Sequence, residues 1–306
     1  MSEWLLVLTP IIILLIVLQL GGGCAFSGTG PVGPSQSYPD TATGISGLVA
    51  FWNLDETSGT IAKDSQGVDA THPNGGNPGT YIQPPQLFYN GGDKSAAAPG
   101  TLSQGGQSLS SNGGGPAVSF NGGYVEVPFN AALNPANAPG FSIALGVSPG
   151  WDPDPAQPAI RVTLESGQVV GATATVGFVL RSNAQNQWEF AIGNGSATDV
   201  VVTGDPVTAK NATNYVVATY DGTAKTLSLS VDGGDPATAA ASPVYQPNTI
   251  YPLRIAMGAG RVTPPTSTEP KVEFPFNGRI SGVLLFNRPL TSDETNTLSL
   301  AFLASA

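Results

Sequence analysis

The residues able to do acid–base chemistry are few and scattered. Glu126 lies in YVEVP and Glu189 in WEFAIGN, each alone on its strand. Asp152 and Asp154 lie in WDPDP, a loop fixed by prolines, and Asp232 and Asp235 flank a Gly-Gly turn. Glycoside hydrolysis needs two carboxyl groups across one cleft, about 5–10 Å apart. No strand here sets acids in series on one face. A Ser-His-Asp arrangement would have to use His72, the sole histidine, in THPNGG, and no G-x-S-x-G elbow accompanies it. No Gly-rich phosphate loop follows the P-loop pattern. With one histidine and one cysteine, Cys24, neither His- nor Cys-based metal clusters can form. The expectation is a protein without catalytic residues.

Binding chemistry is better represented. Aromatic rings stack on the apolar faces of sugars, while Asn, Asp and backbone groups take the hydroxyls. Trp151, between Pro149 and Pro153, is the most site-like aromatic, with Asp152 and Asp154 beside it; structural packing of the ring and plain solvation of the two acids are the alternatives. Trp188, after SNAQNQ, is the second candidate; packing at a strand start is its alternative. Trp52 lies within a strand and reads as core.

The composition narrows the partners. The chain has 306 residues and a net charge of −10, and only 10% of its residues are charged. No basic stripe exists to neutralise phosphates, so nucleic acid is excluded as a partner. Electrostatic docking on anionic lipid is disfavoured for the same reason. Gly (39) and Pro (27) are frequent enough to break the chain into short strands and turns.

These strands can be placed. Runs with period two or full β character occur at Gly47–Glu56, Ala117–Phe120, Tyr124–Pro128, Phe141–Pro149, Ala159–Glu165, Thr175–Ser182 and Trp188–Asn194. Four more follow at Asn214–Gly222, Thr226–Gly234, Pro252–Gly258 and Gly278–Phe286. In TLSLSVD the alternation is strict, as on a half-buried antiparallel strand. Asp221-Gly222 starts a hairpin turn. Thr291-Ser292-Asp293-Glu294 fits a capping box, so a short C-terminal helix is expected, carrying Leu298 and Phe302 towards the strands. The fold class is all-β, a two-sheet antiparallel sandwich. Residues 45–306 form its domain. Within it, residues 72–116 read as a long insertion loop whose Ile82, Leu87 and Phe88 cap one end of the core, a functional or mobile loop being the alternative.

Residues 1–24 read as an export or anchor segment. Trp4–Leu20 is apolar except at Thr9, Pro10 and Gln19, and is expected to be an N-terminal hydrophobic helix. Gly21-Gly22-Gly23-Cys24 resembles a bacterial lipobox, which would place lipid on Cys24; an uncleaved single span is the alternative. Either way the remaining chain is exported to the cell envelope or surface. The Gly/Pro/Ser-rich stretch 25–44 reads as a flexible tether.

The ordered strand set resembles the laminin-G-like, concanavalin A-like jelly-roll family of bacterial surface modules. GLVAFWNLDETSGTIAKDSQG is similar to the family's opening strand and D-S-x-G turn, and AVSFNGGYVEVP to A-x-x-F-D-G-x-x-D-Y-V-x-V-P. PGFSIALGVSP stands for F-T-I-S-A-W-V-K-P, VVATYDG for V-A-V-T-Y-D-G, and FNGRISGVLLFNRPLTSDE for F-x-G-x-I-D-E-V-R-I-Y-N-R-A-L-S-x-x-E. The resemblance spans about Gly47 to Leu300. It implies a lectin-like sandwich that binds a glycan or another surface protein, and the scattered acids read above make it non-catalytic. The alternatives are a purely structural or adhesion protein and, third, a degenerate glycoside hydrolase. In relatives, rim carboxylates often hold calcium, which would nominate Asp55 and Asp64 here as ligands of a structural Ca2+; turn and strand-end carboxylates without a metal are the alternative. The chain departs from the pattern at Gly146, where the family has Trp, and at Ser281-Gly282, where it has Asp-Glu. On the closing strand, Val283 and Leu285 should enter the core. Gly282, Leu284 and Phe286 present an apolar outer face, expected to be covered by the insertion or by the C-terminal helix.

Overall fold

The computed structural model describes residues 37–56, 59–82, 117–136, 139–154, 159–170, 174–242, 244–259 and 272–305. The hydrophobic N-terminal segment, Cys24, Leu87 and Phe88 lie outside them. All eleven expected strands form. One antiparallel sheet, A, contains β1 (Leu48–Trp52), β17 (Asn277–Phe286), β6 (Gly140–Pro149), β11 (Asn214–Asp221), β12 (Thr226–Val231) and β13 (Ala237–Ala240) in that order, with β4 (Val118–Asn121) also paired to β17. The other, B, runs β10 (Val200–Pro206), β9 (Gln187–Ile192), β8 (Ala174–Ser182), β7 (Arg161–Val170), β14 (Leu253–Ile255), β5 (Tyr124–Val127), β3 (Gly79–Ile82) and β2 (Ile61–Ala62). A two-stranded ribbon, β15 (Gly258–Ala259) and β16 (Val272–Glu273), accompanies them.

The inner faces meet in one core. Trp52, Phe120, Ile143, Leu145, Phe190, Leu229, Val283 and Leu285 are among its buried members, as alternation on each strand requires. The hairpin β11–β12 turns where expected, with Asp221 Oδ1 accepting from the backbone N–H of Thr223 and Ala224 at 2.8 and 2.7 Å. Val283 and Leu285 enter the core, and Leu284 and Phe286 lie in a second apolar cluster on the outer face of sheet A.

Two helices cover that outer face. Helix α2, Ser292–Ala304, begins with the expected capping box on Thr291 and Glu294 and buries Leu298 and Phe302. Helix α1, Tyr38–Gly44, is a correction: the stretch 25–44 was expected to be a tether throughout. Its last turns are helical because Ser37 caps the N-terminus, Pro39 sits in the first turn, and Tyr38 and Ala42 have an apolar surface to bury against. The Tyr38 ring meets Phe51, Tyr215 and Phe302 edge-on, at centroid distances of 6.1, 5.8 and 5.2 Å. Tyr215 stacks on Phe302 at 4.8 Å. The Tyr38 hydroxyl donates to the Gly282 carbonyl at 2.8 Å and lies 3.1 Å from the Tyr215 hydroxyl.

This cluster accounts for two departures from the family pattern. Gly146 faces outward between Leu145 and Val147, and a Cβ there would overlap the Phe302 ring. The bulk that the pattern supplies with a strand tryptophan comes here from the helix. Gly282 lies in a register break of β17 at φ +58°, and a Cβ would come within 2.6 Å of the Tyr38 ring. A glutamate at that bulge would be strained and would collide with Tyr38.

The expected insertion 72–116 also needs correction. Gly79–Ile82 is strand β3, paired between β2 and β5, and the Tyr81 hydroxyl donates to Glu56 Oε2 at 2.7 Å. The short strands β2, β13, β15 and β16 carry too few residues for a visible period. Strand β10 ends in Gly-Asp-Pro, which reads as a turn. Among the described residues, no helix is long and apolar enough to cross a membrane.

Two stability tests follow from this packing. Tyr38→Phe should cost about 1–3 kcal/mol in urea unfolding, because the Gly282 carbonyl and the Tyr215 hydroxyl both lose a buried partner. Gly282→Glu should cost at least as much, through strain and overlap; wild-type stability in both would contradict the closure. The second test uses pH. Arg288 hydrogen-bonds Glu294 at 2.6 and 2.9 Å and, against the desolvation of burial and with help from Thr291, holds its carboxyl down at about 2 from an ordinary 4.5. A depressed folded pKa adds stability above the ordinary value and loses it as pH falls through the folded one. The melting-temperature gap between wild type and Glu294→Gln should therefore be full above about pH 5 and close by about pH 2; a gap constant across that range would refute the role of the pair.

Candidate functional site

One end of the sandwich collects most of the residues of interest. Strand β6 ends there at Pro149 and β7 begins at Arg161; β8 ends at Ser182 and β9 begins at Gln187. Strand β10 ends at Pro206, β11 begins at Asn214 and β17 begins at Asn277. Gly150 N–H donates to the Asn277 carbonyl at 2.9 Å, and Asn211 N–H to the Pro149 carbonyl at 2.8 Å, tying three of these segments together.

Trp151 lies at this mouth and is half-buried. Its ring meets buried Phe276 edge-on at 5.3 Å, and the Arg161 guanidinium sits over it, 4.2 Å from the ring centroid. Burial pulls the Arg161 pKa below its ordinary value. Asp152 beside it is exposed and Asp154 half-buried. The structure thus groups Trp151, Asp152 and Asp154 on the loop after β6, as the sequence implies.

Trp188 is a correction. It is fully buried in the core, and its Nε1 donates to Asn214 Oδ1 at 3.2 Å. Asn214 Nδ2 in turn donates to Asp232 Oδ2 at 2.8 Å, and Tyr215 N–H to Asp232 Oδ1 at 2.6 Å. The Trp188 face is therefore closed to any ligand; its indole N–H joins the two sheets through Asn214.

Sequence reasoning missed three neighbours. Arg161 is the ladder partner of Ser182, and Ser182 of Trp188. Directly opposite residues in an antiparallel ladder point to the same face. Arg161, Ser182 and Trp188 thus form one row. Asn186 closes the turn between Ser182 and Gln187 at φ +56°, with its carbonyl accepting from Val207 N–H at 2.8 Å. Ser182 Oγ, both side-chain polar atoms of Asn186 and Trp151 Nε1 are buried and find no hydrogen-bond partner among the described residues. Nothing local in the sequence marks these residues, because long-range pairing brings them together.

The carboxylates elsewhere serve the fold. Asp64 is fully buried. Its Oδ1 accepts from Phe51 and Gln66 N–H at 2.8 and 2.9 Å, and its Oδ2 from Asn77 N–H and Nδ2 at 3.0 and 3.1 Å. Burial pushes its pKa up and these donors oppose the shift. Four donors fill the four acceptor sites of a carboxylate, and their positive ends face where a cation would sit. Asp55 instead accepts from Asn53 Nδ2 at 2.6 Å. This pair does not fit calcium. Among the described residues, no three His, Cys, Asp or Glu side chains group as metal ligands. His72 is exposed in a turn with Asp69 and Thr71.

Glu126 and Glu189 both lie in cross-strand ion pairs of sheet B. Glu126 pairs with Arg254 at 3.1 Å, and Glu189 accepts from Arg181 Nε at 2.6 Å. In the order β9-β8-β7-β14-β5 the two acids stand four strand spacings apart, roughly 19 Å. That exceeds the roughly 5–10 Å that glycosidic cleavage requires.

Comparison with curated proteins finds no match. Among solved structures, the sialidase of Trypanosoma rangeli in complex with the inhibitor DANA aligns at 18% identity and a TM-score of 0.48, over 84% of this chain and 33% of the sialidase. The CBM40 of Ruminococcus gnavus IT-sialidase, bound to alpha2,3 sialyllactose, aligns at 14% identity and a TM-score of 0.44, over 60% of this chain and 96% of that one. The binding domain of botulinum neurotoxin serotype C1 aligns at 13% identity and a TM-score of 0.44, over 58% of this chain and 40% of that one. The chain thus spans about a third of the length of the sialidase it matches. The profile described as the concanavalin A-like lectin/glucanases superfamily, of the laminin-G type, matches residues 119–296. With more than half of its length in that match and two antiparallel sheets around one core, the chain belongs to the concanavalin A-like lectin/glucanase superfamily.

Proposed function

We propose that this protein is a non-catalytic carbohydrate-binding module, exported and held at the cell envelope by its N-terminal segment. The observation that carries the binding role is the placement of Trp151. Among the described residues it is the tryptophan left partly open, on a loop at the mouth of a lectin-type sandwich, with Asp152 exposed beside it. Trp52 and Trp188 are both closed inside. An aromatic ring at a rim can stack on a pyranose, and neighbouring polar groups can take its hydroxyls. The separation of Glu126 from Glu189, and the ion pairs that occupy both, support a role without hydrolysis. The apolar run Trp4–Leu20 and the lipobox-like Gly21–Cys24 support export and anchoring.

The test is a glycan and cell-wall polymer array probed with the wild-type protein and with Trp151→Ala. Binding should weaken by about tenfold or more in the variant, the loss expected when a stacked aromatic is removed from a site. Absence of binding to every glycan and wall polymer would overturn the proposal in favour of a structural or adhesion role. Release of reducing ends from a bound polymer would overturn its non-catalytic part.

A further inference from the structure

The mouth described above holds more hydrogen-bonding capacity than its own residues use. Trp151 Nε1, Ser182 Oγ and the Asn186 amide are buried, and none of them finds a partner among the described residues. Ser182 is fully buried and Asn186 retains 5% of its surface. Buried polar atoms left unmatched carry their full desolvation cost, so several at one place mark a site built for something that completes them. Their residues adjoin through chain and ladder. Arg161 covers the Trp151 ring, Ser182 is the ladder partner of Arg161, and Asn186 lies in the turn that follows Ser182. Arg161 itself makes only one hydrogen bond to a described residue, a long one of 3.4 Å from Nη1 to the Ala159 carbonyl.

The chemistry of these groups selects the ligand. An indole N–H and a guanidinium can only donate; a hydroxyl and an amide can donate or accept. The fixed groups are therefore donors, and one carries a positive charge. A planar guanidinium pairs best with a carboxylate, which it can grip with two parallel bonds. Of the two acids on the same loop, Asp152 is exposed to water and Asp154 has a partner of its own. We propose that this mouth recognises an acidic saccharide through its sugar carboxylate. Arg161, half-exposed over the Trp151 ring, takes the carboxylate; Trp151 Nε1, Ser182 and Asn186 lie closed off beneath it and bond adjacent hydroxyls only where the ligand opens the mouth. The proposal rests on the carbohydrate-binding reading above and narrows it to one class of sugar.

The test is isothermal titration of the whole protein with trigalacturonate, a hyaluronan tetrasaccharide and 3′-sialyllactose. Each is compared with the same sugar after reduction of its carboxyl groups to alcohols. At least one acidic sugar should bind, and its reduction should weaken binding about tenfold or more, the value of a charge-assisted bond. Arg161→Gln should bind the acidic and reduced forms alike. Arg161→Lys should keep part of the preference, since it keeps the charge and loses the fork. Comparing native and reduced sugars on the wild-type protein keeps the test valid even if a variant fails to fold. Equal binding of native and reduced sugars, or a preference that survives Arg161→Gln, would overturn the carboxylate assignment. In either case Trp151-dependent binding of neutral glycans would leave the carbohydrate reading standing. No binding to any acidic or neutral sugar would overturn both.

Discussion

The structure depends on one aromatic contact made by two segments from opposite ends of the domain. Tyr38 and Phe302 meet on the outer face of sheet A, against Tyr215 and over two positions reduced to glycine. Aromatic pairs of this edge-on kind add about 0.5–1.5 kcal/mol each beyond the area they bury. Gly146 and Gly282 make the approach possible, and the bulge at Gly282 turns its carbonyl to meet the Tyr38 hydroxyl. Leu284, Phe286, Leu290 and Leu298 fill the layer between sheet and helices. The domain is a sandwich with a third, partial layer.

That layer decides where function can reside. The outer face of sheet A is occupied where the helices lie on it. The outer face of sheet B carries the Arg181–Glu189 and Arg254–Glu126 pairs, with Val162, Val179 and Ala191 packed beside them. Cross-strand pairs of opposite charge stabilise a sheet and leave those carboxylates spoken for. The loop mouth is different. Its polar groups are buried and unmatched, and its tryptophan is partly open. The Asp64 clasp shows the same division of labour: an acid that family resemblance offers as a metal ligand is consumed in holding the chain around Phe51, Gln66 and Asn77.

Much of the fold was legible in the sequence, because period-two runs, Asp-Gly turns and the Thr291–Glu294 capping box are local signals. The covered outer face was legible too, from Leu284 and Phe286 standing where charged and polar residues are usual. Helix α1 was not, since Tyr38–Gly44 has tether-like composition and becomes helical only by burying Tyr38 and Ala42. Strand β3 was hidden in a Gly/Pro-rich stretch for the same reason: pairing with β5, remote in sequence, defines it. At the site, Trp151 could be picked out from its proline-bounded loop. Trp188 sits beside a polar turn that mimics a surface position, while its ring points into the core. Arg161, Ser182 and Asn186 carry no local signal, because their meaning comes from ladder register.

Hydrogen–deuterium exchange across the chain tests the aromatic closure most directly. If Tyr38 and Phe302 lock the two helices onto sheet A, the hydrogen-bonded amides of Tyr38–Gly44 should exchange slowly, in step with those of α2 and β17. Exchange of that segment at the rate of an unstructured peptide, while the sandwich strands stay protected, would contradict the closure.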